Sequence, residues 1–245
     1  MQAAGIRSIY NWRRAGLAAL VALILASSGC GGGTTGTSPG ESFKFIGVTE
    51  NAERAPLPDT EMSVLSGADD QVLVESQTDR SGDFAMDLPS DEESLVVDVQ
   101  GTKSAPLQRQ LIGESIVSTK LRQDEAGSLS FTDTLEVQVD SGSLCPALAV
   151  EGNQIYQRSE QSGGEEQSCF VRFFIRTKDL PVSTVQASVR TDCSVSIEPV
   201  RVAPDETISV DVASLLNSGC KNSEIVVSAN GSSLQDAVFS LVTRP

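Results

Sequence analysis

Residues 169–176 read Cys-Phe-Val-Arg-Phe-Phe-Ile-Arg, a run in which every odd position is apolar. An alternation with a period of two is typical of a β-strand that buries one face. We therefore predict a strand with four inward side chains, which are Cys169, Val171, Phe173 and Ile175. The outward side chains of the same strand are Phe170, Arg172, Phe174 and Arg176.

The same alternation recurs through residues 141–245. Apolar side chains keep one parity in runs at residues 185–197, 208–212, 225–227 and 237–241. A segment of this size with roughly seven strands resembles an immunoglobulin-like (Ig-like) β-sandwich in its architecture. It departs from antibody-type domains because the one tryptophan of the chain, Trp12, lies far outside the segment.

Residues 43–140 contain five further runs of alternating apolar side chains, separated by turn sequences rich in proline, glycine and aspartate. The runs lie at residues 43–45, 62–64, 72–74, 84–88 and 95–99. Such short, turn-bounded runs predict antiparallel strands with one buried face. We expect an all-β chain of two tandem β-sandwich domains, with at most one turn of helix at residues 211–217.

A group of short elements in the first half occurs in a characteristic order. They are Ala-Pro-Leu-Pro at 55–58, Met-Ser-Val at 62–64, Thr-Asp-Arg-Ser-Gly-Asp-Phe at 78–84, Leu-Pro at 88–89 and the run 95–101. Over roughly residues 43–120 the chain resembles the carboxypeptidase regulatory-like domain. Aspartate and glycine of the Thr-Asp-x-x-Gly-x-Phe element suit a hairpin turn. The resemblance implies a transthyretin-like β-sandwich, an accessory module of bacterial surface proteins without catalytic residues.

The amino terminus has the pattern of a secretory signal peptide. Three arginines and no acid precede an apolar run at residues 17–26, which is too short to span a bilayer. The following Ser27-Ser28-Gly29-Cys30 resembles the lipobox of bacterial lipoproteins, in which the cysteine is acylated, for example with palmitate, after cleavage. The family usually has leucine where this chain has Ser27. Plain secretion with an unmodified Cys30 is the alternative.

A glycine-, threonine- and serine-rich segment follows Cys30, and its composition is typical of a flexible tether. Gly31 stands where many inner-membrane lipoproteins have aspartate, so the resemblance favours the outer membrane. The predicted organisation has four parts. They are a signal peptide (1–29), a lipidated cysteine and tether (30–42), a carboxypeptidase regulatory-like β-sandwich (43–140) and an Ig-like β-sandwich (141–245).

Five cysteines are an odd number for an exported protein, but assigning Cys30 to the lipid leaves four. These are Cys145, Cys169, Cys193 and Cys220, which allow three pairings. We favour Cys145–Cys169 with Cys193–Cys220, because neighbouring cysteines close shorter loops. A zinc site is disfavoured, since no Cys-x-x-Cys pair is present.

The composition excludes several classes of function. The chain has 245 residues, no histidine and a formal net charge of −15. Without histidine it has no Ser-His-Asp or Cys-His catalytic site and no His-ligated zinc. Nucleic-acid binding depends on lysine and arginine at phosphates, so a surplus of acid opposes it. We expect no cofactor and no DNA or RNA partner.

Acidic side chains are concentrated in residues 41–140, which hold 21 acids and 7 bases. Asp79, Ser81 and Asp83, with Asp69 and Asp70 nearby, offer oxygen atoms of the kind that bind calcium. Their spacing lacks the glycine at position six and the glutamate at position twelve of an EF-hand loop. We expect a turn on a solvated surface, with weak calcium binding as the alternative.

The outward residues of the run quoted first, Phe170, Arg172, Phe174 and Arg176, are types enriched at protein-binding hot spots. We expect the phenylalanines to pack against a loop or the neighbouring domain, and a protein-recognition patch is the alternative. The features together predict a non-enzymatic, membrane-anchored lipoprotein that binds a protein partner in the bacterial cell envelope. One alternative is a periplasm-facing accessory subunit of an envelope assembly. A carboxylate-dependent hydrolase is disfavoured, because glycosidases usually grip sugars with aromatic side chains.

Overall fold

The structure, a computed structural model, describes residues 42–158, 168–220 and 222–242. It is all-β, as predicted. The strands are β1 (Ser42–Glu50), β2 (Glu61–Ser66), β3 (Val72–Gln77), β4 (Asp83–Pro89), β5 (Ser94–Val99), β6 (Thr102–Lys103), β7 (Leu107–Gln108), β8 (Ile116–Gln123), β9 (Leu129–Val139), β10 (Leu148–Glu151), β11 (Gln154–Gln157), β12 (Phe170–Lys178), β13 (Val185–Thr191), β14 (Val200–Val202), β15 (Ile208–Asp211), β16 (Asn222–Ala229) and β17 (Ala237–Val242). The helical segments are a 3₁₀ turn (Ser141–Ser143) and α1 (Ala213–Asn217). Neither helix is long or apolar enough to cross a membrane.

The strands form three sheets. The central sheet has the order β15-β12-β9-β8-β1-β4, and all its pairings are antiparallel except the parallel pair β1–β8. A first-core sheet has the order β3-β2-β5-β6, with β7 also paired to β5. A second-core sheet has the order β10-β11-β17-β16-β13-β14.

Each of the other two sheets packs on the central sheet and closes one hydrophobic core. The first core lies between the first-core sheet and strands β1, β4 and β8, and its largest buried side chains are Phe43, Phe45, Leu88, Leu95, Leu107 and Leu121. The second core lies between the second-core sheet and strands β9, β12 and β15, and it is centred on Phe173 and Phe239. The two rings of this pair stand 5.0 Å apart, centroid to centroid.

Strand β8 shows that the two cores lie on opposite faces of the central sheet. Successive side chains of a strand point to opposite faces. Val117 and Leu121 belong to the first core, whereas Ile116 belongs to the second. The first core therefore covers one face towards the β4 edge, and the second core covers the other face towards the β15 edge. On the first-core face, the exposed side chains of β12 show that the sheet is left uncovered towards the β15 edge.

The central sheet also connects the two halves of the chain that the sequence distinguishes. Strand β9 of the first half pairs with β12 of the second half, with Thr134 opposite Lys178 and Val139 opposite Phe173. Two side-chain bonds add to this connection, since Ser118 donates to the carbonyl of Gln235 (2.7 Å) and the Gln235 amide donates to the carbonyl of Gly47 (3.0 Å). The boundary at residue 140 remains a prediction, and it falls between β9 and the 3₁₀ turn.

Two disulfides border the second core, and they are the pairs that short loops favour. Cys145 bonds to Cys169 and Cys193 to Cys220, with Cα atoms 5.4 and 5.8 Å apart. The predicted strand through residues 185–197 is too long, because β13 ends at Thr191. There the Cys193 amide donates to the Thr191 hydroxyl (3.2 Å), which replaces a bond of the strand ladder.

Candidate functional site

The uncovered end of the central sheet, on the first-core face, exposes two phenylalanines of β12. Phe170 is 45% exposed and Phe174 is 36% exposed, whereas Val171, Phe173 and Ile175 between and beside them are fully buried. The inward set of the sequence prediction is thus part of the second core. The two phenylalanines do not pack into either core, and they form the centre of what we call the uncovered face.

The two arginines of the same strand differ in their surroundings. Arg172 is exposed, and its guanidinium lies 3.9 Å from the Asp140 carboxylate and 3.4 Å from the Ser209 hydroxyl. Arg176 is partly buried, and its guanidinium donates to the carbonyls of Ile175 (2.9 Å) and Asp205 (3.2 Å). Arg172 therefore offers its charge to solvent, while Arg176 is held by the backbone around it.

A third apolar side chain, Ile112, lies next to this strand and is 43% exposed. The Gln138 amide donates to the Ile112 carbonyl (3.0 Å), and Gln138 is the residue of β9 directly opposite Phe174. Residues opposite each other on adjacent strands share a face of the sheet. This bond thus holds the connection between β7 and β8 at β9, the neighbour of β12, on the face that exposes Phe170 and Phe174.

The buried side chain of Arg109 fixes this connection. The Cζ atom of its guanidinium lies 3.6 Å from the centroid of the Phe43 ring, which is a cation–π contact. The guanidinium donates five hydrogen bonds of 2.6–3.1 Å, to the carbonyls of Ser90, Glu92, Leu111 and Gly113 and to the hydroxyl of Ser115. Burial lowers the pKa of Arg109 to about 10, although the carboxylates of Glu136, Glu92 and Asp91 act in the opposite direction.

Glu136 of β9 holds the same connection from the other side. Its Oε2 atom accepts from the backbone N–H groups of Gln110 (2.9 Å) and Leu111 (2.8 Å). Burial raises the pKa of this carboxyl, and the two backbone donors together with Arg109 and Arg176 oppose the rise. Arg109 and Glu136 therefore hold the backbone on both sides of Ile112 through hydrogen bonds, and we call this pair of residues the Arg109–Glu136 clip.

Glu136 and three aspartates of the predicted calcium cluster make contacts within the chain. Glu136 is the one acidic side chain buried within the described ranges, and its bonds go to backbone amides. Asp79 accepts from the amides of Ser81 (2.7 Å) and Asp83 (3.0 Å), which is an Asx turn. Asp69 accepts from the Gln71 amide, and Asp70 pairs with Lys103 at 3.1 Å. In the part of the chain that the structure describes, no three potential metal ligands form a cluster.

The predicted site residues are thus distributed as follows. The structure places Phe170, Arg172 and Phe174 together on one exposed face and holds Arg176 at its border. Cys30, the predicted lipidation site, lies outside the described residues. Sequence reasoning missed Ile112 and the Arg109–Glu136 clip. Arg109 is one of seven bases and Glu136 one of 21 acids in residues 41–140, and no sequence pattern distinguishes these two from the others.

The chain is an all-β protein of the β-sandwich class with an aromatic and arginine-bearing face. No protein-family model matches it, and no curated protein matches it. It is similar to a solved DUF3823 family protein from Parabacteroides merdae, with 11% identity, 82% of this chain and 98% of that chain covered and a TM-score of 0.26. It is also similar to a DUF3823 family protein from Bacteroides ovatus, with 11% identity, 82% of this chain and 98% of that chain covered and a TM-score of 0.27. A third similar structure is that of DIP-gamma IG1+IG2, with 12% identity, 84% of this chain and 97% of that chain covered and a TM-score of 0.21.

Proposed function

We propose that this protein is a non-enzymatic, lipid-anchored interaction module of the bacterial cell envelope, which binds a protein partner through the uncovered face. The observation that carries the proposal is the exposure of Phe170 and Phe174 on β12, with a third exposed apolar side chain, Ile112, on the connection bound to Gln138 of the neighbouring strand. Soluble proteins seldom leave contiguous apolar groups in water unless another molecule covers them. Aromatic and arginine side chains are also the residues that contribute most at interfaces.

The charges around the face indicate the chemistry of the partner. Arg172 is exposed, and its contacts with Asp140 (3.9 Å) and the Ser209 hydroxyl (3.4 Å) are long, so its guanidinium is available for a carboxylate. A partner that fits would place an apolar group against Phe170 and Phe174 and an acidic group beside Arg172. Opposite charges at the rim of an interface mainly speed association and fix orientation.

The anchor forms the second part of the proposal. The arginines and the apolar run before Ser27-Ser28-Gly29-Cys30 support a lipoprotein signal peptide, and the tether after Cys30 ends where β1 begins at Ser42. A short tether would keep the folded part close to the lipid surface. The carboxypeptidase regulatory-like identity of residues 43–140 and an outer-membrane location belong to this proposal as well. A periplasm-facing accessory subunit would use the same features.

Photo-crosslinking in cells tests the interaction. The photoreactive amino acid p-benzoylphenylalanine replaces Phe170 or Phe174, and in a control it replaces Ala85, which is exposed on β4 at the other edge of the sheet. We expect one discrete adduct from positions 170 and 174 and none from position 85. The charge reversal Arg172→Glu should weaken this adduct, whereas Arg201→Glu, at an exposed site on β14, should not. Equal adducts at positions 85 and 170 would contradict the proposal.

A stability measurement distinguishes an interface from a packing role. The double substitution Phe170→Ser with Phe174→Ser removes two exposed side chains, so the free energy of unfolding should fall by about 1 kcal/mol or less. Partner adducts, introduced through a crosslinker at Ile112, should be lost in the same variant. Unfolding of the variant would instead show that the phenylalanines stabilise the fold.

Acyl labelling and protease accessibility test the anchor. Cys30→Ala should abolish incorporation of labelled fatty acid and move the protein out of the membrane fraction, and continued labelling would contradict the lipoprotein assignment. Protease treatment of intact cells, with a periplasmic protein as control, then separates the two orientations. Digestion while the control survives indicates an outward-facing protein, and protection until the envelope is permeabilised indicates the accessory subunit.

A further inference from the structure

A cleft of about 520 Å³ lies on the other face of the central sheet, between that sheet and loops of the second half. The first half of the chain contributes Arg54, Lys120, Arg122 and Asp133, and the second half contributes Pro181, Gly231, Ser232 and Ser233. Every second residue of a strand points to the same face. Lys120 is therefore on the face of Ile116 and Ser118, which is the second-core face. The cleft is therefore separated from the uncovered face by the thickness of the sheet.

Lys120 is the most unusual residue of this cleft. Its side chain is only 9% exposed, and its Nζ atom lies 3.2 Å from the Asp133 carboxylate, which is itself 15% exposed. An ammonium group has three N–H donors. Within residues 42–158, 168–220 and 222–242, Asp133 is the one partner of Nζ, so two donors remain for a molecule in the cleft.

Two arginines add further donors to the same space. Arg122 pairs with Glu50 through one terminal nitrogen (3.1 Å), while its Nε atom is buried and has no partner among the described atoms. Arg54 is exposed, and the structure shows no ion pair for it within the described ranges. Unpaired N–H groups in a buried setting are costly, and a bound acceptor would remove that cost.

The cleft is also an exception in the charge distribution of the chain. It gathers three of the seven basic side chains of residues 41–140, a segment that holds 21 acids. Asp133 and Glu50 offset two of these charges, which leaves a local surplus of one positive charge. The Ser232 hydroxyl oxygen accepts from the Leu234 amide (3.1 Å), and this bond uses a lone pair of the oxygen. The O–H group therefore remains as a further donor.

We propose that this cleft binds a phosphate group carried by a small molecule. Arginine forks and a lysine point charge, supplemented by serine hydroxyls, form the donor set that recognises tetrahedral oxyanions. The cleft volume lies within the range of small-molecule sites, roughly 300 to 1,000 Å³, and leaves room for an organic group next to the phosphate. A free phosphate ester and a phospholipid headgroup share this chemistry. Since both halves of the chain line the cleft, the ligand would also connect them.

Titration calorimetry on the full chain in a non-ionic detergent tests the proposal. The probes are inorganic phosphate, glycerol 3-phosphate and dihexanoyl phosphatidylglycerol below its micelle concentration, each at low ionic strength. We expect Lys120→Gln to weaken binding by about tenfold or more and Arg54→Gln by about threefold or more, since each removes a charged donor. The control Arg80→Gln removes the same charge from an exposed turn and should leave the Kd within about twofold.

The outcomes decide between the sources of the phosphate group. Binding of the two soluble phosphates, weakened by Lys120→Gln and Arg54→Gln, supports a free ester, and binding of the lipid alone with the same variant pattern supports a headgroup. If Lys120→Gln does not fold, as judged by circular dichroism, the exposed Arg54 decides the result against Arg80. No binding of any probe by the wild-type protein, or an equal Kd for Arg54→Gln and Arg80→Gln, overturns the proposal.

Discussion

The two cores share one sheet but are closed at their margins by different chemistry. The first core is bordered by the Arg109–Glu136 clip, in which a buried guanidinium and a buried carboxylate saturate backbone groups. The second core is bordered by two disulfides, whose Cys169 and Cys220 are buried. The stability of the Arg109–Glu136 clip depends on its hydrogen bonds and on pH, whereas the stability of a disulfide depends on the redox conditions.

The Arg109–Glu136 clip and the Cys145–Cys169 disulfide are both next to residues of the uncovered face. The Arg109–Glu136 clip holds the connection that carries Ile112, and the Cys145–Cys169 disulfide ends one residue before Phe170. The apolar side chains of this face are thus fixed from two independent directions. The uncovered face can therefore be disturbed selectively, through one core or through the other.

The largest effect is expected for Arg109→Met. The substitution leaves the carbonyls of the connection and the Ser115 hydroxyl without their buried donor. It also removes the positive charge that acts on the buried Glu136 carboxyl, and breaking such a buried charge arrangement typically costs about 3–5 kcal/mol. Urea unfolding followed by circular dichroism measures this loss. The control Arg172→Met removes an exposed guanidinium and should change the free energy of unfolding by about 0.5 kcal/mol or less. Similar small losses for both variants would show that the clip does not stabilise the first core.

A somewhat smaller loss is expected for the double substitution Cys193→Ser with Cys220→Ser. The bond spans 27 residues, and a loop of this length predicts a loss of about 3.5 kcal/mol. Hydrogen exchange locates the effect, because β16 of the second core should lose protection while β2 of the first core keeps most of it. An equal loss in the two strands would remove the distinction between the cores.

The smallest effect concerns the pH dependence of Glu136→Gln. Burial raises the pKa of Glu136 in the folded protein, so the carboxyl destabilises the fold progressively as the pH rises from about 4.3, the usual unfolded value, through its raised pKa. Glutamine keeps an oxygen that accepts from Gln110 and Leu111 without the charge. The Tm of the variant, relative to wild type, should therefore be higher at pH 7 than at pH 4.

Thermal unfolding at the two pH values measures that difference. Glu61→Gln, which removes the same charge from an exposed position on β2, corrects for the change in net charge. A relative Tm that falls between pH 4 and pH 7 would mean that the folded protein favours the ionised carboxylate. The clip would then resemble an ordinary ion pair instead of a buried acid.

The strands with one buried face were predictable from the sequence. β4 shows why, since Phe84, Met86 and Leu88 are buried while Ala85 and Asp87 between them are exposed. This pattern is local, and burial on a single face produces it directly. The disulfide pairs were also accessible, because loop length ranks the pairings without knowledge of the fold.

The central position of β8 was not predictable in the same way. The residues from Ile116 to Leu121 are all buried, because both faces of this strand are covered, and the alternation of polar and apolar residues disappears. Arrangements of distant residues were equally hidden: Arg109 contacts the Phe43 ring, and Lys120 lines one cleft together with the loop that contains Ser232. No local pattern records such pairs, because they exist only after the strands have assembled.

The shared sheet has a mechanical consequence. A chain tethered ahead of Ser42 and held by a partner at Phe170 would carry tension from β1 through β8 and β9 to β12, across adjacent ladders of one sheet. Two domains joined by a linker extend one after the other under load. Here the pulling force crosses strands that serve both cores, so rupture of the β8–β9 ladder would release the two cores in a single extension event.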